Sequence, residues 1–253
     1  GSARFGAPCF TIIAGPCSVE SEANVLQVAE YLMSRGVTLL RAGAFKPRTS
    51  PYSFQGMEQE GLAILERARE KTGIRIVTEV MDTEQVEAVA TSADIIQIGT
   101  RNMQNFSLLK KVATCNRPVL LKRGMSATLD EWLMAAEYLL AGGNKNVILC
   151  ERGVRTFTDH TRNTLDLSVV PPVKENSHLP ILIDPSHGTG RRNYVPAMAL
   201  AGLAAGADGL MVEVHPDPST ALSDGAQTLD FKEFDRLLES LRALAEPLER
   251  NIG

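Results

Sequence analysis

Three observations predict an α/β fold built as a single (β/α)8 TIM barrel: eight short apolar runs at near-regular spacing, amphipathic stretches between them, and no composition break. The runs are Phe10–Ala14, Val37–Leu40, Ile74–Val77, Ile95–Ile98, Val119–Leu121, Val147–Leu149, Ile181–Ile183 and Leu210–Val212. From the first to the last the spacing averages about 28 residues, close to the ~30 of a strand, a helix and two loops. The runs are continuous rather than alternating, as parallel strands covered on both faces require. The length of 253 residues suits a barrel used as one domain.

The helices follow from spacing and punctuation. After the first run, Ser21 is placed as an N-cap, Val25, Val28 or Ala29, and Leu32 share a face, and Gly36 ends the helix. Leu62, Leu65 and Ala68 ahead of Gly73 repeat the arrangement, as do Leu133, Ala136 or Glu137, and Leu140 ahead of Gly142-Gly143. The last helix opens on Asp230 with Glu233 three residues later and continues through Phe234, Leu237, Leu241 and Leu244. The sixth unit is the weakest, because Pro171-Pro172 is expected to interrupt any helix after Leu167. Gly1-Ser2 reads as an expression scar and residues 3–253 as one catalytic barrel without a built-in regulator.

Composition narrows the function. Hydrophobic residues make up 44% and charged residues 22%, ordinary values for a folded globular chain. A net charge of −4 excludes the bulk basic footprint of a nucleic-acid binder. Uncharged runs such as Ala197–Ala207 fall short of the ~18 apolar residues of a membrane span. Cys9, Cys17, Cys115 and Cys150 form no C-x-x-C pair, which points away from a zinc knuckle or redox dithiol and toward a reducing, cytoplasmic home.

In a barrel, chemistry sits at the C-terminal ends of the strands. In chain order the eight runs are followed by Gly15-Pro16-Cys17-Ser18; Arg41, with Lys46 and Arg48 beyond; Glu79; Gly99-Thr100-Arg101; Lys122-Arg123; Glu151-Arg152; Asp184-Pro185-Ser186-His187; and Glu213-Val214-His215. Arg41, Lys46, Arg48, Arg101, Lys122 and Arg152 are thus six cations expected at one mouth. Their mutual repulsion predicts polyanionic substrates, a phosphorylated acid together with a phosphosugar. A second constellation is Cys17, His187, Glu213 and Asp224, carried by the loops of strands one, seven and eight, which are neighbours in a closed barrel. Sulfur, nitrogen and oxygen donors suit a divalent first-row metal without choosing among Mn, Fe, Co and Zn. Taken singly, these residues keep other readings: Cys17 as a small buried hydrophobe, His187 as a loop-ordering group, Glu213 as the partner of Arg152.

The same segments resemble the short, type I beta, 3-deoxy-D-arabino-heptulosonate 7-phosphate (DAHP) synthases. The stretches are Gly15–Glu20, Arg41–Ser50, Gln97–Asn102, Leu121–Gly124, Cys150–Gly153, Asp184–His187 and Glu213–Pro216. The resemblance implies a transferase of the shikimate pathway, and so of chorismate and aromatic amino acid biosynthesis. It would condense phosphoenolpyruvate with erythrose 4-phosphate as a cytoplasmic homotetramer. It implies a divalent metal, manganese first, on Cys17, His187, Glu213 and Asp224, and phosphoenolpyruvate on Arg41, Lys46, Glu79, Thr100, Arg101, Lys122 and Arg152. Erythrose 4-phosphate would meet Lys46, Pro47, Arg48 and Thr49, with Lys46, His187 and Glu79 as the catalytic groups. One departure is Thr100, where Ala is usual. The related 3-deoxy-D-manno-octulosonate 8-phosphate (KDO8P) synthases, which use arabinose 5-phosphate, usually read Ala-Asn-Arg-Ser where this chain has Lys46-Pro47-Arg48-Thr49, and some carry Asn in place of Cys17. KDO8P synthesis and a non-catalytic phosphosugar-binding barrel are the alternatives.

Overall fold

A computed structural model describes residues 3–46, 52 and 54–253. The eight expected strands are present: β1 (Cys9–Gly15), β2 (Leu39–Arg41), β3 (Arg75–Val80), β4 (Ile95–Ile98), β5 (Val119–Lys122), β6 (Val147–Glu151), β7 (Ile181–Ile183) and β8 (Gly209–Glu213). Each pairs in parallel with the next, and β1 pairs with both β8 and β2, so the sheet closes. The continuous apolar runs are explained by two buried faces. Ile13, Leu39, Val77, Ile95, Leu120, Ile148, Leu182 and Met211 fill the lumen. Their strand neighbours, such as Ile12, Leu40, Ile76 and Leu121, pack outward beneath the helices.

Between the strands lie α1 (Glu22–Ser34), α2 (Glu58–Thr72), α3 (Val86–Ser92), α4 (Phe106–Ala113), α5 (Leu129–Ala141), α6 (Val170–Asn176), α7 (Pro185–Thr189) and α8 (Val195–Ala204); α9 (Phe231–Ala245) follows β8. The expected punctuation holds at α1, α2 and α9. Ser21 Oγ accepts from Asn24 N, Gly73 caps α2 at φ 76°, and Asp230 and Glu233 form a reciprocal capping box.

Four details differ from expectation. Pro171-Pro172 do not block the sixth helix but fall in the first turn of α6, where a missing N–H removes no helical bond. The buried face of α5 is Trp132, Ala135, Ala136 and Leu139, so Leu133 and Leu140 lie at its margin; Leu244 of α9 is likewise marginal, with Ala245 fully buried. The second strand starts at Leu39, because Val37 N is still bonded to Leu32 O in the turn that leaves α1. Finally, a two-residue strand β9 (Asn251–Ile252) runs beside the start of β1, outside the eightfold alternation.

Candidate active site and metal centre

The strand period of two selects which groups face the mouth of the barrel. Two residues beyond Leu39, Val77, Ile95, Leu120, Leu182 and Met211 of the lumen come Arg41, Glu79, Gln97, Lys122, Asp184 and Glu213. Arg152 follows Cys150 in the same way on β6. All seven are buried, and five of them lie inside a strand or at its last residue, where the backbone is held by the ladder. Arg123 and Glu151 have the opposite parity and face the helices.

Cys17, His187, Glu213 and Asp224 meet at one point. Their candidate donor atoms all lie within 4.8 Å of one another. Cys17 Sγ donates to Asp224 Oδ2 at 3.0 Å, and His187 Nε2 is 3.3 Å from Glu213 Oε1. Lys46 Nζ donates to Cys17 Sγ at 2.9 Å and to Cys17 O at 2.8 Å. That approach depends on Gly43, whose added Cβ would lie 2.9 Å from the Lys46 side chain and 3.2 Å from Cys17 O. On the far side Lys46 N is bonded to Gln55 O, so the lysine is held by its backbone as well.

Partners fix the orientation of each group. Asp184 Oδ2 takes His187 Nδ1 at 2.8 Å and Lys122 Nζ at 2.6 Å, which leaves His187 Nε2 aimed at the cluster. Arg41 Nη1 donates to Glu213 Oε1 at 2.9 Å, so the partner of Glu213 is Arg41 and not Arg152. Gln97 Nε2 donates to Glu79 Oε2 at 2.9 Å, and glycine at position 99 leaves room for this carboxylate, since a Cβ there would lie 1.9 Å from Glu79 Oε1 and displace it.

The electrostatics suit a cation. Burial, with Glu213 close by, pushes the Cys17 thiol up to about 11 against the pull of Lys46 and Arg41. Burial also lowers His187 from its usual value despite Asp184 and Glu213, favouring the neutral imidazole that serves as a ligand. Burial alone would raise Asp184 and Asp224, yet both are held low, Asp184 by His187 and Lys122, and Asp224 by His187, the Cys17 hydrogen bond and Arg162. A soft sulfur, an imidazole and two carboxylates on separate rigid supports are donors that a divalent transition metal accepts.

The expected cations do not form one uncompensated set. Arg41, Lys46 and Lys122 each meet a carboxylate or the thiol, whereas Arg152 is 5% exposed and has no carboxylate within 4 Å among the described residues. Its polar contact is Gly153 O at 3.5 Å, and burial lowers its pKa. Arg101 is exposed on the 3-10 turn after β4, beside half-buried Thr100, and stays outside the buried group. Pro47, Arg48 and Thr49 lie outside the described residues. Four further residues contribute without having been candidates from the sequence: Gln97, Arg162, Gln227 and Ser186, whose Oγ accepts from Glu213 N at 3.0 Å. Parity around the ring selects Gln97, whereas nothing in the one-dimensional pattern marks Arg162 or Gln227.

The chain is similar to known proteins over nearly its whole length. The phospho-2-dehydro-3-deoxyheptonate aldolase of Thermotoga maritima is 53% identical over 248 residues, 98% of this chain and 73% of that protein. The crystal structure of the Thermotoga maritima phospho-2-dehydro-3-deoxyheptonate aldolase (DAHP synthase) superposes with a TM-score of 0.97 at 51% identity, covering 100% of this chain and 74% of that one. The 2-dehydro-3-deoxyphosphooctonate aldolase of Coxiella burnetii is 32% identical over 261 residues, 96% of this chain and 91% of that protein. The profile of the DAHP synthetase I family matches residues 6–250, and the chain belongs to that family.

Proposed function

We propose that the chain condenses phosphoenolpyruvate with erythrose 4-phosphate to DAHP and inorganic phosphate, the entry to the shikimate pathway, and that it works with a divalent metal on Cys17, His187, Glu213 and Asp224. Manganese is the first choice, with iron, cobalt or zinc as substitutes. The observation that carries the reading is a barrel mouth that holds both a sulfur–nitrogen–oxygen donor cluster and a buried guanidinium, Arg152, that meets no carboxylate among the described residues. The 53% identity to the Thermotoga maritima aldolase supports it.

In this reading C3 of phosphoenolpyruvate bonds to the aldehyde carbon, water adds at C2, and phosphate leaves with the bridging oxygen by C–O cleavage. When bound, the metal supplies Lewis-acid polarisation of the aldehyde oxygen. Arg152 takes a phosphate or carboxylate oxygen of phosphoenolpyruvate, with Arg41 and Lys122 flanking it and Thr100 and Arg101 on the β4 turn. Lys46, already at hydrogen-bond distance from Cys17 Sγ, donates to the aldehyde oxygen and passes it a proton as the alkoxide forms. Glu79, steadied by Gln97, orients the incoming water. His187 is kept neutral and directed by Asp184. Holding two anions in reacting geometry is the main contribution of the walls. Lys46 also opens the segment that would grip erythrose 4-phosphate, continued by Pro47, Arg48 and Thr49.

Phosphate release with erythrose 4-phosphate against arabinose 5-phosphate, before and after chelation, tests the proposal. The expected result is a kcat/KM roughly 100-fold higher for the tetrose phosphate, loss of turnover on chelation and recovery with Mn(II). Preference for the pentose phosphate would transfer the chain to the octulosonate reaction, and full turnover by the metal-stripped protein would remove the metal.

A further inference from the structure

We propose that Arg162 and Gln227 form a bracket that positions three of the four metal ligands, holding the outer oxygen of each carboxylate so that its other oxygen faces the donor cluster. The inference rests on the metal reading above and adds two residues outside the donor set.

The two oxygens of each carboxylate have different surroundings. Glu213 Oε2 accepts from Gln227 Nε2 at 2.7 Å, while Glu213 Oε1, which also accepts from Arg41 Nη1 at 2.9 Å, is the oxygen 3.3 Å from His187 Nε2. Asp224 Oδ1 accepts from Arg162 Nη1 at 3.1 Å, while Asp224 Oδ2 is the oxygen that meets Cys17 Sγ. The outer oxygens, Oε2 and Oδ1, are joined to each other because the same Arg162 Nη1 also donates to Gln227 Oε1 at 3.1 Å. Nη1 carries two hydrogens, one for each acceptor. With Gln227 Oε1 occupied by Arg162, its NH2 group is the one left to face Glu213, so the orientation of the amide is set by the network. Gln227 is 2% exposed, and Arg162 closes the bracket from the solvent side.

The third ligand is tied through the backbone. Arg162 N donates to Thr189 O at 2.9 Å, Asn163 N to Gly188 O at 3.0 Å, and Asn163 Nδ2 to His187 O at 3.1 Å, so the loop bearing Arg162 is fastened along α7, the helix that carries His187. Gly190, which ends α7 at φ 67°, makes this fit possible, since a Cβ there would lie 2.5 Å from Arg162 Cβ. Asp224 itself has φ 54°, a left-handed conformation uncommon outside glycine that Asp tolerates better than most residues; Thr228 Oγ1 donates to Asp224 O at 2.9 Å and Arg162 holds the carboxylate. One side chain thereby joins ligands from two loops that the sheet itself does not cross-link.

Arg162 and Gln227 are positioning residues, and their signature is metal affinity rather than fold stability. A half-exposed ion pair such as Arg162–Asp224 adds little to folding, whereas partners that orient metal ligands alter affinity by ~10–100-fold. Co(II) titration of the full chain, followed by the thiolate-to-cobalt absorption band, reads this directly, with thermal unfolding of the metal-free protein as the fold control. Arg162→Ala and Gln227→Ala are each expected to bind Co(II) ~10–100-fold more weakly. Arg162→Lys should recover part of the loss, and the double variant should be little worse than either single one, because both cut the same bracket. Arg162 is peripheral, so its variant decides the matter even if Gln227→Ala unfolds. Wild-type affinity in Arg162→Ala would overturn the bracket, as would a loss matched by an equal drop in metal-free stability. A wild-type chain that gives no thiolate–cobalt band would overturn the metal reading and the bracket with it.

Discussion

Two charged regions meet where β5 and β6 end, and their side chains alternate between them. On the helix side Arg123 donates to Glu151 Oε2 at 3.1 Å, to Asp166 Oδ2 at 2.9 Å and to Ala127 O at 3.0 Å, and lies over the Trp132 ring. On the lumen side Arg152, next in sequence to Glu151, has no carboxylate at all within ion-pair distance among the described residues. Both guanidiniums are buried and both follow the end of a strand. One is consumed by the protein and the other is the one we propose for a substrate anion, so a count of rim cations overstates the charge available to substrate. What separates them is strand parity: Lys122 and Arg152 continue the lumen face, Arg123 and Glu151 the face under α5.

Removing the two arginines in turn has opposite expected effects on stability. Arg123→Ala strands the buried Glu151 carboxylate, whose pKa burial already raises, and removing one member of a buried pair costs about 3 kcal/mol or more. For a chain of this size that is a fall in melting temperature of roughly 6–12 °C, read by calorimetry. Arg152→Ala should do the reverse. It removes a desolvated charge with no carboxylate in ion-pair distance among the described residues, so the melting temperature holds or rises, while kcat/KM for phosphoenolpyruvate falls about 100-fold or more. Equal stability losses in the two variants would erase the distinction.

The smallest expected effect concerns protons at the metal centre. Because the Cys17 thiol lies near 11, it is protonated at neutral pH in the metal-free protein and must release its proton to bind a metal as thiolate. Below that value, apparent metal affinity therefore rises with pH, about tenfold per unit from this group alone, and levels off once the thiol is ionised without metal. His187, lowered by burial, is already neutral over this range and adds no slope. Competition titrations with a chelator of known pH dependence measure it, and a flat profile across about pH 7–9 would argue that Cys17 does not bind as thiolate.

The contrast between two buried cysteines carries the same lesson at shorter range. Cys150 sits in the lumen among Ile148, Leu182 and other apolar side chains, and burial pushes its thiol to about 12. Cys17, equally buried, touches Lys46 Nζ and Asp224 Oδ2. Both stand in or just beyond a strand, and only their neighbours distinguish an inert thiol from a candidate ligand.

Period, class and punctuation of the fold are all written locally in the chain. Strands buried on both faces must read as apolar runs, and helix caps are local interactions within a few residues, so Ser21, Gly73 and the Asp230–Glu233 pair were legible without any partner. The sequence also named the four donors that the tertiary structure brings within 4.8 Å. What only the tertiary structure decided is which charges answer which. Arg41 and Glu213 are far apart in the chain and meet because β1 closes the sheet between β2 and β8, and Arg162 reaches Asp224 because its loop is fastened to α7. Local propensity and period record where an element starts and which face it buries. Pairing across the mouth depends on barrel closure and on loop backbones held by hydrogen bonds to distant elements, and no residue spacing along the chain encodes those.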